Sequence, residues 1–201
     1  MQAQLALAYG ERDPHALGMA LLDASELSGS RGGYGPGATY ARRAAYVFGE
    51  LGTDQRWTAR ARRARGVNLH RWGALDAALD ELSAAARVFE EKGEAWWHAR
   101  TLYNLAELHA DLGRHDHAKG LLQRACAAFD AEGDVDQRDL TRILLAEVLA
   151  SRGRELNAWY MLEELRGRFI REDKRWYTAQ CLRVMGGLDD AALGRQYATC
   201  D

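Results

Sequence analysis

At 201 residues, 47% hydrophobic and 28% charged, the chain is long enough for one large domain or two small ones and is ordinary enough in composition to fold throughout. A formal net charge of −2 and a pI of about 6.3 argue against a dedicated nucleic-acid binder. No apolar run approaches the roughly 18 residues needed to span a bilayer, and Met1–Tyr9 lacks the basic flank and cleavage site of a secretory signal. Cys126, Cys181 and Cys200 are an odd number, widely spread and without a C-x-x-C, which argues against a disulfide framework and for a reducing cytoplasm.

Only two prolines, with recurrent alanine, leucine, arginine and glutamate, favour helix, because these side chains lose little freedom on a helical backbone. The chain also repeats itself. Phe89, Phe129 and Phe169 stand 40 apart, as do Gly73, Gly113 and Gly153, Ala78, Ala118 and Ala158, and Leu82, Leu122 and Leu162. The small residues Gly66, Ala106 and Ala146 keep the same step, and Ser25, Gly32, Gly37 and Phe48 form an upstream copy displaced by 41. A period of this length marks an array of supersecondary units.

In chain order, residues 1–12 read as the last turns of a second helix whose first helix is missing, since counting back 41 from Phe48 reaches Leu7. A solenoid opened in mid-repeat exposes an apolar face, so either more protein ahead of Met1 or self-association through this end is expected. Arg12-Asp13-Pro14 then breaks the chain, and four units follow at 18–57, 58–98, 99–138 and 139–178. In each, the glycine at 73, 113 or 153 can take positive φ and end the first helix. Asp76 and Asp116 suit an N-cap or first-turn position of the second helix. The mid-helix small residues let the two helices of a unit approach, and the leucine and phenylalanine later in the unit pack on its neighbour. Gly52, Gly93 and Gly133 close the second helices, with Thr53 and Asp134 or Asp136 placed to cap the next. Residues 179–201 read as a partial repeat stopped at Gly186-Gly187, with a short final helix capped by Asp189-Asp190 and ending near Tyr197.

This order of a small residue, glycine, alanine and alanine over a helix–turn–helix resembles the tetratricopeptide repeat across about 18–187. It departs in a unit of 40 residues against the usual length of about 34 and in lacking the closing proline; longer helices account for both. The resemblance implies an all-α fold, a right-handed α-solenoid of antiparallel helix pairs forming a single TPR-like domain, whose first helices line a concave groove. Carried over by register, the groove would hold Met19, Leu22 and Glu26, then Arg60, Arg63, Val67 and His70, then Arg100, Tyr103, Asn104 and Glu107. Leu140, Ile143 and Glu147 would follow, with Gln180 and Arg183 from the partial unit. Arg60, Arg63 and Arg100 would make a basic spot beside Tyr103 and Asn104, and Leu140 and Ile143 an apolar patch.

Two readings of those arginines stand side by side. One is a groove for an acidic or C-terminal peptide, with forked hydrogen bonds from arginine to carboxylate and asparagine holding the backbone. The other is a solvated face, since Arg56, Arg60, Arg62, Arg63 and Arg65 surround their helix. Trp57, Trp97 and Tyr177, in register at the start of first helices, are expected to pack between repeats. Gly32–Thr39 has the glycine spacing of a phosphate loop but carries Ala38 where lysine is needed, and His115-x-His117 lacks further zinc ligands. No catalytic residue, metal or cofactor is expected. The chain reads as a cytoplasmic interaction module for a protein or peptide, or alternatively as the ligand-sensing part of a larger bacterial transcriptional regulator.

Overall fold

The computed structural model describes residues 13–52 and 54–188. Among them run nine helices: α1 (Pro14–Ser30), α2 (Tyr34–Glu50), α3 (Gln55–Trp72), α4 (Leu75–Glu91), α5 (Ala95–Asp111), α6 (His115–Ala131), α7 (Val135–Ala150), α8 (Glu155–Arg171) and α9 (Arg175–Gly186). The described residues contain no strand, and no helix among them is long and apolar enough to cross a membrane. The predicted remnant helix at 1–12, the cap at Thr53 and the closing helix after Asp189 lie outside the described residues.

The helices start where the local chemistry lets them. Asp13 caps α1 through a hydrogen bond from the Ala16 N–H, with Pro14 at the first helical position, and Asp54 and Asp134 cap α3 and α7. Asp76 and Asp116 take first-turn positions in α4 and α6, while Ala74 and Arg114 are the cap residues. Turns end in a left-handed residue. At Gly73 (φ 88°) the following Ala74 N–H donates to the Leu69 carbonyl at 2.9 Å, and the same closure recurs after Gly113 and Gly153. Each first helix begins three or four residues ahead of the unit starts read from the sequence, and for α1, α3 and α7 the start is set by a capping aspartate.

The chain divides into two compact units, 1–108 and 109–201, within the last turn of α5. In the first, α1 packs on α2, α2 on α3 and α3 on α4, and α1 also meets α3. A Cβ added at Gly66 would fall 2.6 Å from Leu82 Cγ and 3.3 Å from the Ala78 carbonyl oxygen, so α3 and α4 touch almost backbone to side chain there. Phe48, Phe89, Ala78 and Leu82 have no exposure. Phe48 stacks on Trp57 (5.8 Å) and Phe89 on Trp97 (6.0 Å), so the aromatic ring that opens a first helix covers the phenylalanine of the helix before it.

The second unit uses the same devices. α6 packs on α7, α7 on α8 and α8 on α9, with α7 also meeting α9. Phe129, Phe169, Leu122, Leu162, Ala118, Ala146 and Ala158 are fully buried, and Phe169 packs on Tyr177 at 5.1 Å. Asp139 is buried beneath Arg138 and Arg168, each within ion-pair reach of it, although its counterparts Ala59 and Ala99 are apolar. Where earlier repeats place Gly93 and Gly133 to close the second helix, the repeat of α7 and α8 has Asp173 at φ 52°, the only non-glycine with positive φ among the described residues.

Gly66→Val is expected to lower the unfolding free energy by about 2–3 kcal/mol through overpacking against Leu82, read as an earlier denaturation midpoint; an unchanged midpoint would mean that Leu82 yields freely. Asp173→Gly relieves the left-handed strain and sacrifices only an exposed pair with Arg175. It should slow amide exchange in α9 by a stabilisation of about 0.5 kcal/mol, and faster exchange would contradict this account.

Candidate functional site

In the first unit the helical steps 60, 63, 64, 67 and 71 place one stripe of α3 beside Glu26, Gly29 and Ser30 of α1 and Arg100 of α5. Between them lies an open cleft of about 540 Å³, lined by Glu26, Gly29, Tyr34, Arg63, Val67, Asn68 and Arg100 among others. That volume falls within the range of roughly 300–1,000 Å³ of small-ligand sites.

Arg63 is the central charge. Its side chain is only 13% exposed. Nη1 donates to Asn104 Oδ1 at 3.2 Å, Nη2 lies 3.9 Å from Glu26 Oε1, and Nε finds no acceptor among the described residues. Burial pulls its pKa down to about 10, with the charge of Arg100 pushing the same way and Glu26 opposing. Arg60 lies over the rings of Trp57 (4.6 Å) and Trp97 (4.2 Å), and burial lowers its pKa as well, opposed by Glu26, Asp23 and Glu94. Arg100 covers the ring of Tyr103 at 5.0 Å. Asn104, itself buried, sits 3.5 Å from Glu107 Oε2, and Glu107 accepts from Arg71 at 3.2 Å.

The structure thus brings together Arg60, Arg63, Arg100, Tyr103, Asn104 and Glu107 of the residues read from the sequence. Within the cluster Arg60 is held on indole faces, Tyr103 is a buried platform, and Asn104 works from beneath Arg63. His70 is buried and contributes no surface to the cleft. In the second unit Glu147 is half-buried and accepts from Arg183 at 3.3 Å. Ile143, expected in an apolar groove patch, is 3% exposed and belongs to the core with Ala146, Leu149 and Leu165. The reason is register: 63, 103 and 143 are equivalent, and this position points into the packing, so only a long polar side chain such as Arg63 reaches outward from it. Sequence reasoning missed Asn68 and Arg71 as cleft residues, although Arg71 continues the stripe one turn beyond Val67.

No group of three His, Cys, Asp or Glu side chains converges for a metal among the described residues. His117 instead stacks on His109 at 5.6 Å, and burial with the neighbouring His117 charge lowers the His109 pKa. Cys126 is half-buried and Cys181 buried, and burial raises both thiols to about 11, so neither is a ready nucleophile.

Because burial holds the folded pKa of Arg63 below its ordinary value, its charge opposes folding at every pH below about 10, and that opposition fades only as pH rises above that value. Arg63→Met should therefore leave stability unchanged or raise it by about 1–2 kcal/mol, measured as the midpoint of urea unfolding. A clear loss of stability would assign Arg63 to the scaffold.

No protein-family model matches the sequence, and no curated protein sequence does. Solved structures do match in fold. A Rap protein complexed with Competence and Sporulation Factor superposes with a TM-score of 0.79 at 18% identity over 96% of this chain. Aspartyl phosphate phosphatase F from Bacillus subtilis gives 0.77 at 16% identity over 90%. This chain spans 58% and 49% of the length of those two proteins. A kinesin light chain from Podosopora anserina with nearly identical TPR-like repeats gives 0.68 at 12% identity, covering 90% of this chain and 92% of that one. The chain therefore has the TPR-like helical-repeat fold.

Proposed function

We propose that this chain is a protein-interaction module whose first unit holds a partner peptide in the cleft between α1, α3 and α5, with a partner carboxylate against Arg63 and Arg100. The observation that carries the reading is Arg63: a buried guanidinium close to two other arginines, with one N–H lacking an acceptor. Burying charge of one sign without full pairing is unfavourable, and a bound anion would relieve it. Arginine suits the task because its planar fork matches a carboxylate. The Rap protein of similar fold was solved in complex with Competence and Sporulation Factor, which supports a ligand-holding role for this architecture. The setting we favour is the cytoplasm, where thiols such as Cys126 and Cys181 stay reduced.

A peptide library displayed with free C-termini and selected on the wild-type chain tests the reading. The enriched sequence, synthesised as acid and as amide, should bind at least tenfold tighter as the acid, and Arg63→Met with Arg100→Met should erase that difference. Acid and amide binding equally well would sink the carboxylate assignment.

A further inference from the structure

Resting on the carboxylate reading above, we infer that Glu26 is the ligand's internal stand-in: its carboxylate holds the place that the ligand's terminal carboxylate takes, and the ligand carries an apolar side chain next to that terminus. The argument starts from the donors of Arg63. One N–H of Nη1 donates to Asn104. On the other edge of the guanidinium lie Nε, buried and without an acceptor, and Nη2, whose ion-pair partner Glu26 lies at 3.9 Å. Those two N–H groups form the parallel fork that takes a carboxylate side-on at about 2.8 Å, and 3.9 Å is too long for a hydrogen bond.

Glu26 is poorly placed to fill that fork. Its side chain is 66% exposed, so it keeps most of its water. It is also a counter-charge to both Arg60 and Arg63, drawn toward two guanidiniums at once. A long exposed side chain loses rotamer freedom when it is fixed, which favours the loose contact seen here. A ligand anchored elsewhere in the cleft brings its carboxylate with that loss already covered by its other contacts. The anchoring surface lies in the same cleft, where Gly29, Ala64, Val67 and the ring of Tyr34 supply an apolar wall beside the arginines. Gly29 also lets α1 lie close against α3, since a Cβ there would fall 2.7 Å from Asn68 Oδ1.

The test uses one probe, acetyl-Ala-Ala-Leu, as free acid and as C-terminal amide, titrated by calorimetry into the wild-type chain, Glu26→Gln and Arg63→Met. Glu26 is exposed, so its variant keeps the fold, which circular dichroism checks. Removing the competitor should tighten acid binding three- to tenfold and leave amide binding unchanged, and Arg63→Met should abolish the preference for acid. If the acid is preferred through Arg63 but Glu26→Gln leaves its affinity unchanged or weaker, the stand-in role fails and the carboxylate site survives. If wild-type and Glu26→Gln chains alike bind acid and amide equally, or bind neither, both the site and the stand-in role are overturned.

Discussion

The close approach of two helix backbones at small residues is the constraint from which the rest of this molecule follows. At Gly66 the space where a side chain would begin is already filled by Leu82, and Ala78 presents its carbonyl to the same spot. With α3 and α4 that close, Leu82 and Phe89 are sealed from water, and the next first helix lays its Trp97 on Phe89. Ala106, Ala118, Ala146 and Ala158 keep the same smallness and the same complete burial in register. A solenoid built this way draws its stability from neighbour contacts repeated along the chain. First helices within a unit are thereby held side by side, and residues about 40 apart in sequence, such as Arg63 and Asn104, become partners.

Two buried charges sit differently on that scaffold. In the second unit Asp139 occupies a position where other repeats carry alanine, and the arginines at 138 and 168 close around it. Arg138 reaches on to Asp130 and Arg168 to Glu172, so two guanidiniums face three carboxylates there and their opposite charges tie α6, α7 and α8 together. In the first unit Arg63 is nearly as enclosed, yet two of its charged neighbours are further arginines, and its ion-pair partner Glu26 stands off at 3.9 Å. Charge that is buried and matched acts as structure. Charge that is buried and short of partners is what a ligand can complete.

Aromatic side chains set the limits of that site. Trp57 and Trp97 serve the repeat by covering Phe48 and Phe89, and Arg60 lies over both indoles. Cation–π contact of this kind is worth roughly 0.5–2 kcal/mol, enough to hold Arg60 at the rim of the cluster while Arg63 stays beneath. The basic spot expected from spacing alone is therefore layered: Arg60 on two indoles, Arg63 buried with its guanidinium 5.4 Å from the Trp97 ring, and Arg100 over Tyr103.

The sequence by itself determined the repeat, the helical class, the turn glycines and the small and aromatic core positions, because each is a local requirement. Positive φ calls for glycine, close approach calls for a missing side chain, and both recur at 40 residues. It also led to Arg60, Arg63 and Arg100 as neighbours through register. Only the tertiary structure decided which of those side chains stay accessible. Ile143 and Arg63 share one register position, yet the first is core and the second reaches a cleft, because exposure there depends on side-chain length and on the helices packed around it. The fork of Arg63, the loose contact of Glu26 and the burial of His70 likewise arise from residues brought together across helices, at separations that no periodic pattern encodes.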